Sequence, residues 1–314
     1  MATSFFLDRR LMLAWTPKFP KSALPLAYWR LLRARHQYFD RVGLRLSPWG
    51  LPRFTHLAGS QQRIAMMRDK YNGQRCFVIA NGPSLQQLDM TRLRNEVTLG
   101  CNGIYRAFPE WGFHTNYLLF EDIEQLELRR HDVGRVQGPI KMAALYNAYA
   151  FKADSRTIFF NAPRMRGQLY YWKDLYPQFS TDFASIVHLG STVTYIMLQL
   201  AYHLGCDPVY IVGLDHDYGE LPKLFPPGKI TITEENIELI RGLHFSNQYY
   251  QVGDQIGVPD VVMQEAAYLK AREAFEADGR RVINASARTA LEVFEQCEFA
   301  GLFGDTASAD RSGP

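Results

Sequence analysis

A chain of 314 residues with 47% hydrophobic content is long enough to bury a substantial core, which excludes a disordered polymer. Its formal net charge of +3 gives no whole-molecule reason to bind nucleic acid. The charge is unevenly spread, because residues 1–75 hold 14 Lys/Arg against 3 Asp/Glu and the rest of the chain is mildly acidic.

Residues 1–73 are rich in Arg, Trp, Tyr, Phe and Pro, and Pro17, Pro20, Pro25, Pro48 and Pro52 cut them into short pieces. They read as a basic, aromatic N-terminal extension. Within it, Leu24 to Val42 has the spacing of an amphipathic helix, with Trp29 and Leu32 near one face and Arg30, Arg33, Arg35 and Arg41 outward. Such a helix either packs on the core or an oligomer interface, or touches an anionic membrane surface. No stretch reaches the roughly 18 apolar residues of a span, and Asp8, Arg9 and Arg10 interrupt the start. The expected placement is cytoplasmic, with peripheral contact at the inner membrane face. Cys76, Cys101, Cys206 and Cys297 are far apart and read as reduced core residues.

From residue 74 to 304 short apolar runs alternate with helical patterns, the rhythm of a largely parallel sheet with helices on both faces. Strands are predicted at Arg75 to Ala80, Val97 to Gly100, Tyr117 to Phe120, Thr157 to Phe160, Pro208 to Val212 and Arg281 to Ile283. Helices are predicted at Leu85 to Leu93, Thr192 to Leu204 and Val262 to Asp278, the last two closed by Gly205 and Gly279. Residues 305–314 read as a disordered tail.

Candidate chemistry lies at the strand ends, where ligands bind in such sheets. Asn81-Gly82-Pro83-Ser84 follows the first strand; Asn81 offers an amide, Gly82 room for a phosphate and Ser84 a helix cap. Asn102 follows the second strand and Asp122 the third. Gly190-Ser191-Thr192 opens an apolar helix and suits an anion or a ribose. Gly213-Leu214-Asp215-His216-Asp217-Tyr218 packs two carboxylates, an imidazole and a phenol after a further strand. Between Gly219 and Pro259 the pattern is irregular and suggests a functional lid carrying His244, the best general base by its ordinary pKa, with Tyr249 and Tyr250 beside it.

With ANGPSL, CNG, GST, GLDHDY, HF-x-x-x-YY and VINASARTALEVF in this order, the sequence resembles bacterial relatives of the archaeal 6-hydroxymethyl-dihydropterin diphosphokinases. These share a Rossmann-like core with bacterial monofunctional sialyltransferases and flagellin nonulosonate transferases. The resemblance covers roughly Tyr71 to Phe299. It implies nucleotide contacts by Asn81, Asn102, Ser191 and Asp215, a base at His244, and phosphate contacts from Tyr218, Tyr249 or Tyr250. It further implies an inverting transferase that moves an acidic sugar from a cytidine-monophosphate donor to a glycan or glycolipid, with no metal required. The diphosphokinase side of the resemblance implies instead Mg²⁺, ATP and a pterin-like alcohol, with Asp122 and Asp215 as acidic candidates. A non-catalytic nucleotide-binding module is the third expectation, and a homo-oligomer is compatible with all of them.

Overall fold

The computed structural model describes residues 25–34, 55–151, 155–162, 177–246 and 249–304. The expected tail and most of the N-terminal extension lie outside these residues. Ten strands are formed among them: β1 (Cys76–Ile79), β2 (Val97–Cys101), β3 (Tyr117–Phe120), β4 (Ile140–Ala144), β5 (Thr157–Phe160), β6 (Val209–Val212), β7 (Gly228–Thr231), β8 (Gln255–Val258), β9 (Val282–Asn284) and β10 (Glu295–Gln296). Eight of them make one sheet in the order β10-β9-β6-β1-β2-β3-β4-β5. Every pairing in it is parallel.

The central strand shows why the sheet is two-faced. All four residues of β1 are apolar and fully buried. Cys76 and Val78 enter one core layer, and Phe77 and Ile79 the other. A strand buried on both faces has no solvent side to alternate toward, so it reads as an unbroken apolar run. The first face is covered by the helices Val193–His203 and Val261–Ala277, which supply Tyr195, Met197, Leu200, Ala267, Tyr268 and Phe275. The second is covered by short turns that supply Leu85, Met90, Ile104, Trp111 and Tyr149.

β4 escapes sequence reading because its five residues include Lys141 and two alanines. That lysine is nonetheless buried, its Nζ donating to Val136 O at 3.4 Å. The predicted Leu85 to Leu93 helix is replaced by two 3-10 turns, Pro83–Gln87 and Met90–Leu93. The reason is local: Asp89 accepts from Thr91 N and the Thr91 hydroxyl, which caps a new turn in place of continuing the old one. The region between Gly219 and Pro259 is also more ordered than expected. It contains the antiparallel pair β7-β8 and a separate apolar cluster of Leu221, Ile232, Ile237, Ile240, Ile256 and Val258.

A helix spans residues 26–34. Its Trp29 is 2% exposed and meets the edge of Tyr149 at 6.2 Å, while Arg33 pairs with the buried Glu127 at 3.0 Å. This part of the basic extension therefore packs on the second face of the sheet. Among the described residues no helix is long and apolar enough to cross a membrane.

Candidate functional site

The strand order reverses direction at β1, which has β2 on one side and β6 on the other. In open parallel sheets a crevice forms there, beyond the carboxyl ends of the strands. Here the loops after β1 and β6 are tied across it. Gly82 N donates to Gly213 O at 2.8 Å, Ser84 N donates to Asp215 Oδ2 at 2.9 Å, and the Ser84 hydroxyl donates to Asp215 Oδ1. Arg288 Nε reaches Asp215 Oδ2 at 3.4 Å. Asp215 is 4% exposed, so these donors replace the water a buried carboxylate would otherwise need.

The same geometry assigns the glycines. A Cβ on Gly82 would lie 2.5 Å from both Asp215 Oδ1 and Gly213 O, so its smallness serves the neighbouring loop. Gly213 has φ +70° and sits on Leu85. Gly190 lets the two long helices meet, since a Cβ there would lie 2.6 Å from that of Ala267. Ser84 caps no helix; its side chain belongs to Asp215.

Asn81 is half-buried, and its Nδ2 points at Cys101 Sγ and O, at 3.2 and 3.5 Å. Its carbonyl accepts from Phe245 N at 2.9 Å, which brings the His244 segment over the tip of β1. Asn102 stands at the end of β2 with a left-handed backbone, φ +49°, and Gly103 N next to it donates to the Tyr249 hydroxyl at 3.2 Å. His244 stacks on Tyr249 at 4.4 Å and 17°, and Tyr250 meets its face edge-on at 5.0 Å. Arg129 supports this stack from behind, its guanidinium 4.0 Å from the Tyr249 ring centre and its Nη2 donating to Tyr249 O at 2.8 Å. Gln125 Nε2 donates to the Tyr250 hydroxyl at 2.6 Å. Asn81, Asn102, His244, Tyr249 and Tyr250 thus meet on one side of the rim.

Burial, helped by the charge of Arg129, pushes the His244 imidazole down to about 4. The ring is neutral at physiological pH and a weaker base than its ordinary value suggests. Burial pushes the Tyr249 phenol up to about 12 and Tyr250 well above its usual range, so both keep their protons. Each phenol oxygen accepts from a neighbour, Gly103 N or Gln125 Nε2, which leaves its own hydrogen to give. A shallow depression lined by His244, Ser246, Tyr249 and Tyr250 opens here, with an inner volume of about 10 Å³. That is room for about one water molecule.

Ser191, Thr192 and Tyr218 are brought together elsewhere, on the face covered by the long helices. Thr192 caps the Val193–His203 helix by accepting from Thr194 N at 3.3 Å, and Tyr268 donates to Thr192 Oγ1 at 3.3 Å. Ser191 is exposed with φ +58°. Its carbonyl accepts from Gln264 Nε2 at 3.1 Å, and Gln264 Oε1 accepts from the Tyr218 hydroxyl at 2.7 Å. Tyr218 therefore stands apart from His244, because His216 takes a left-handed backbone, φ +52°, and turns the chain toward the Val261–Ala277 helix. His216 Nε2 faces Glu265 Oε1 at 3.3 Å, and burial lowers its pKa despite that carboxylate.

Asp122 caps the Ile123–Leu128 helix, its Oδ1 accepting from Glu124 N at 2.8 Å and Gln125 N at 3.2 Å. Burial, with Glu121 and Glu124 adding repulsion, raises it to about 7. Among the described residues no group of three or more His, Cys, Asp or Glu side chains converges as a metal site. Asp215 spends both oxygens on Ser84 and Arg288, and Asp122 spends one on two amides. Sequence reading missed Arg129, Gln125, Glu265 and Arg288, which carry no motif and reach the site only through the fold. All four cysteines are free, and Cys76, Cys101 and Cys206 are buried.

A parallel, doubly covered sheet with its polar strand-end residues gathered at the switch point defines a Rossmann-like α/β protein with a rim site. Within that class the chain belongs to the 6-hydroxymethylpterin diphosphokinase MptE-like family, which matches residues 54–220, more than half of its length. No curated protein matches it. Among solved structures it is similar to the MAf glycosyltransferase from Magnetospirillum magneticum AMB-1, with 11% identity and a TM-score of 0.44 over 79% of this chain and 39% of that one. The chain thus spans about two fifths of the length of that structure.

Proposed function

We propose that the chain is an inverting glycosyltransferase that takes an acidic sugar from a cytidine-monophosphate donor. The observation that carries this reading is the neutral His244 stacked on Tyr249 above the asparagines at the tips of β1 and β2. His244 takes the proton of the acceptor hydroxyl while the acceptor oxygen attacks the anomeric carbon. The bond from that carbon to the phosphate oxygen breaks, and the electron pair leaves with CMP. Tyr249 and Tyr250 donate to the departing phosphate, a role that needs phenols still protonated at neutral pH. Asn81 and Asn102 hold the nucleotide, with Asp215 fixing the loop beneath it. Tyr218, Ser191 and Thr192 border the crevice from the other face. The acceptor is a glycan or glycolipid.

The family description favours a second reading, transfer of diphosphate from ATP to a pterin-like alcohol. That chemistry draws on Mg²⁺ to neutralise the phosphates. The engagement of Asp122 and Asp215 in internal hydrogen bonds weighs against it. The two readings part in one assay. With CMP-N-acetylneuraminate and a simple glycoside acceptor, the expected result is CMP release that continues in EDTA. Formation of AMP from ATP that stops in EDTA, without CMP release, would replace the first reading by the second.

A further inference from the structure

Arginine does not give up its proton inside a protein, so a buried guanidinium keeps its charge and is ordinarily paired with a carboxylate. Arg129 breaks that pattern. It is 8% exposed and closes the Ile123–Leu128 helix, yet among the described residues no carboxylate pairs with it. The glutamates of that helix are engaged elsewhere, Glu124 with Lys229 and Glu127 with Arg33 and Arg30. What Arg129 holds instead is neutral: Nε donates to Gln125 Oε1 at 3.1 Å, Nη2 donates to Tyr249 O at 2.8 Å, and Cζ lies over the Tyr249 ring.

Most contacts of this cation lead to one tyrosine. Gly103 permits the approach, because a Cβ there would lie 3.0 Å from both Arg129 Nε and the Tyr249 hydroxyl oxygen. His244 stacks on the same ring at 4.4 Å, and two groups so close to one ring centre take opposite faces of it. The order is therefore guanidinium, phenol, imidazole. A positive charge held away from water favours negative charge growing nearby, and in the proposed reaction that charge grows on the phosphate to which Tyr249 donates.

We propose that Arg129 is a positioning residue of the transferase: it clamps Tyr249 by ring and carbonyl and, through that phenol, favours the departure of the phosphate. The inference rests on the glycosyl-transfer reading and adds to it a cation that acts without touching the donor.

Rates of CMP release from CMP-N-acetylneuraminate, with a simple glycoside acceptor, test this in the full chain carrying Arg129→Gln or Arg129→Lys. Glutamine keeps a donor for Tyr249 O and removes the charge, whereas lysine keeps the charge and loses the planar fork. Arg129→Gln is expected to lower kcat roughly 10- to 100-fold, less than a donor in direct contact is worth, with the donor KM within a few-fold. Arg129→Lys should recover part of that loss. The pH profile is the readout that packing alone would not move. Arg129 is the charge that bears on His244, while Asp122 and Asp254 bear on the tyrosines and Arg241 lines the shallow depression. Without Arg129 the imidazole protonates more readily, so the acid limb of kcat should move to higher pH in Arg129→Gln and stay in place in Arg129→Lys. If the glutamine variant does not fold, a several-fold lower kcat at unchanged KM in Arg129→Lys supports the role. Parent-like activity of the folded variants, a loss confined to KM, or equal losses in both with the acid limb unmoved would overturn it while the transferase reading stands. A parent that releases no CMP would remove that reading and the role of Arg129 with it.

Discussion

Replacing His244 with Asn is expected to lower the rate of CMP release about 10²-fold while changing donor affinity by no more than a few-fold. General bases contribute on the order of 10²- to 10⁴-fold, and a base held as low as about 4 belongs at the weak end of that range. Asparagine keeps a planar polar group against Tyr249, so a selective loss of rate reports the lost proton acceptor and not the collapse of the stack. The pH dependence has a definite sign. His244 must be unprotonated to act, and its pKa is depressed, so its activity is present across neutral pH and is lost only as the pH falls through about 4. An acid limb near 6.5 in the parent, or full activity in the variant, would assign the base elsewhere. His216 beside Glu265 would then be the first residue to test.

The second large effect is structural. Gly82→Ala should destabilise the chain by roughly 3–5 kcal/mol, a large share of the 5–15 kcal/mol that holds a typical protein folded. Its backbone is ordinary, φ −68° and ψ 153°, so the cost is not one of dihedral strain. It is one of space: the new methyl would meet Asp215 Oδ1 and Gly213 O at 2.5 Å, and Gly213 O is the acceptor that Gly82 N itself holds. Overpacking contributes about 1–3 kcal/mol. Each hydrogen bond to the Asp215 carboxylate that Ser84 loses adds about 1.5–3 kcal/mol. Urea unfolding measures this directly, and a change below about 1 kcal/mol would mean that the two loops are not in contact as described.

Much of the fold is legible in the residues because six of its parallel strands are short apolar runs bounded by turns. β4 is hidden by Lys141, whose aliphatic stem is buried while its ammonium finds a carbonyl. β10 is hidden by being two exposed polar residues at the sheet edge. The strand-end rule finds Asn81, Asn102, Asp122 and Asp215, because position in a parallel sheet is a property of local sequence. It cannot find Arg129, which meets Tyr249 across a separation of 120 residues. Adjacency misleads in the opposite direction at Gly213 to Tyr218. A left-handed His216 sends Tyr218 to Gln264, and a density of polar residues along the chain becomes two separate groups in space. Similarly, the ordinary pKa of histidine recommends His244, but only the burial of its ring beside a guanidinium sets its actual basicity.

On the proposed function, the loops after β1, β2 and β6 and the His244 segment form one nucleotide site at one rim. Hydrogen exchange of the full chain with and without CMP, in EDTA, tests it most directly. CMP is expected to slow exchange together in residues 81–85, 101–104, 213–216 and 243–246, and to leave the far ends of the strands unchanged. Protection confined to other surfaces, or protection of these segments only by ATP with Mg²⁺ and not by CMP, would contradict it.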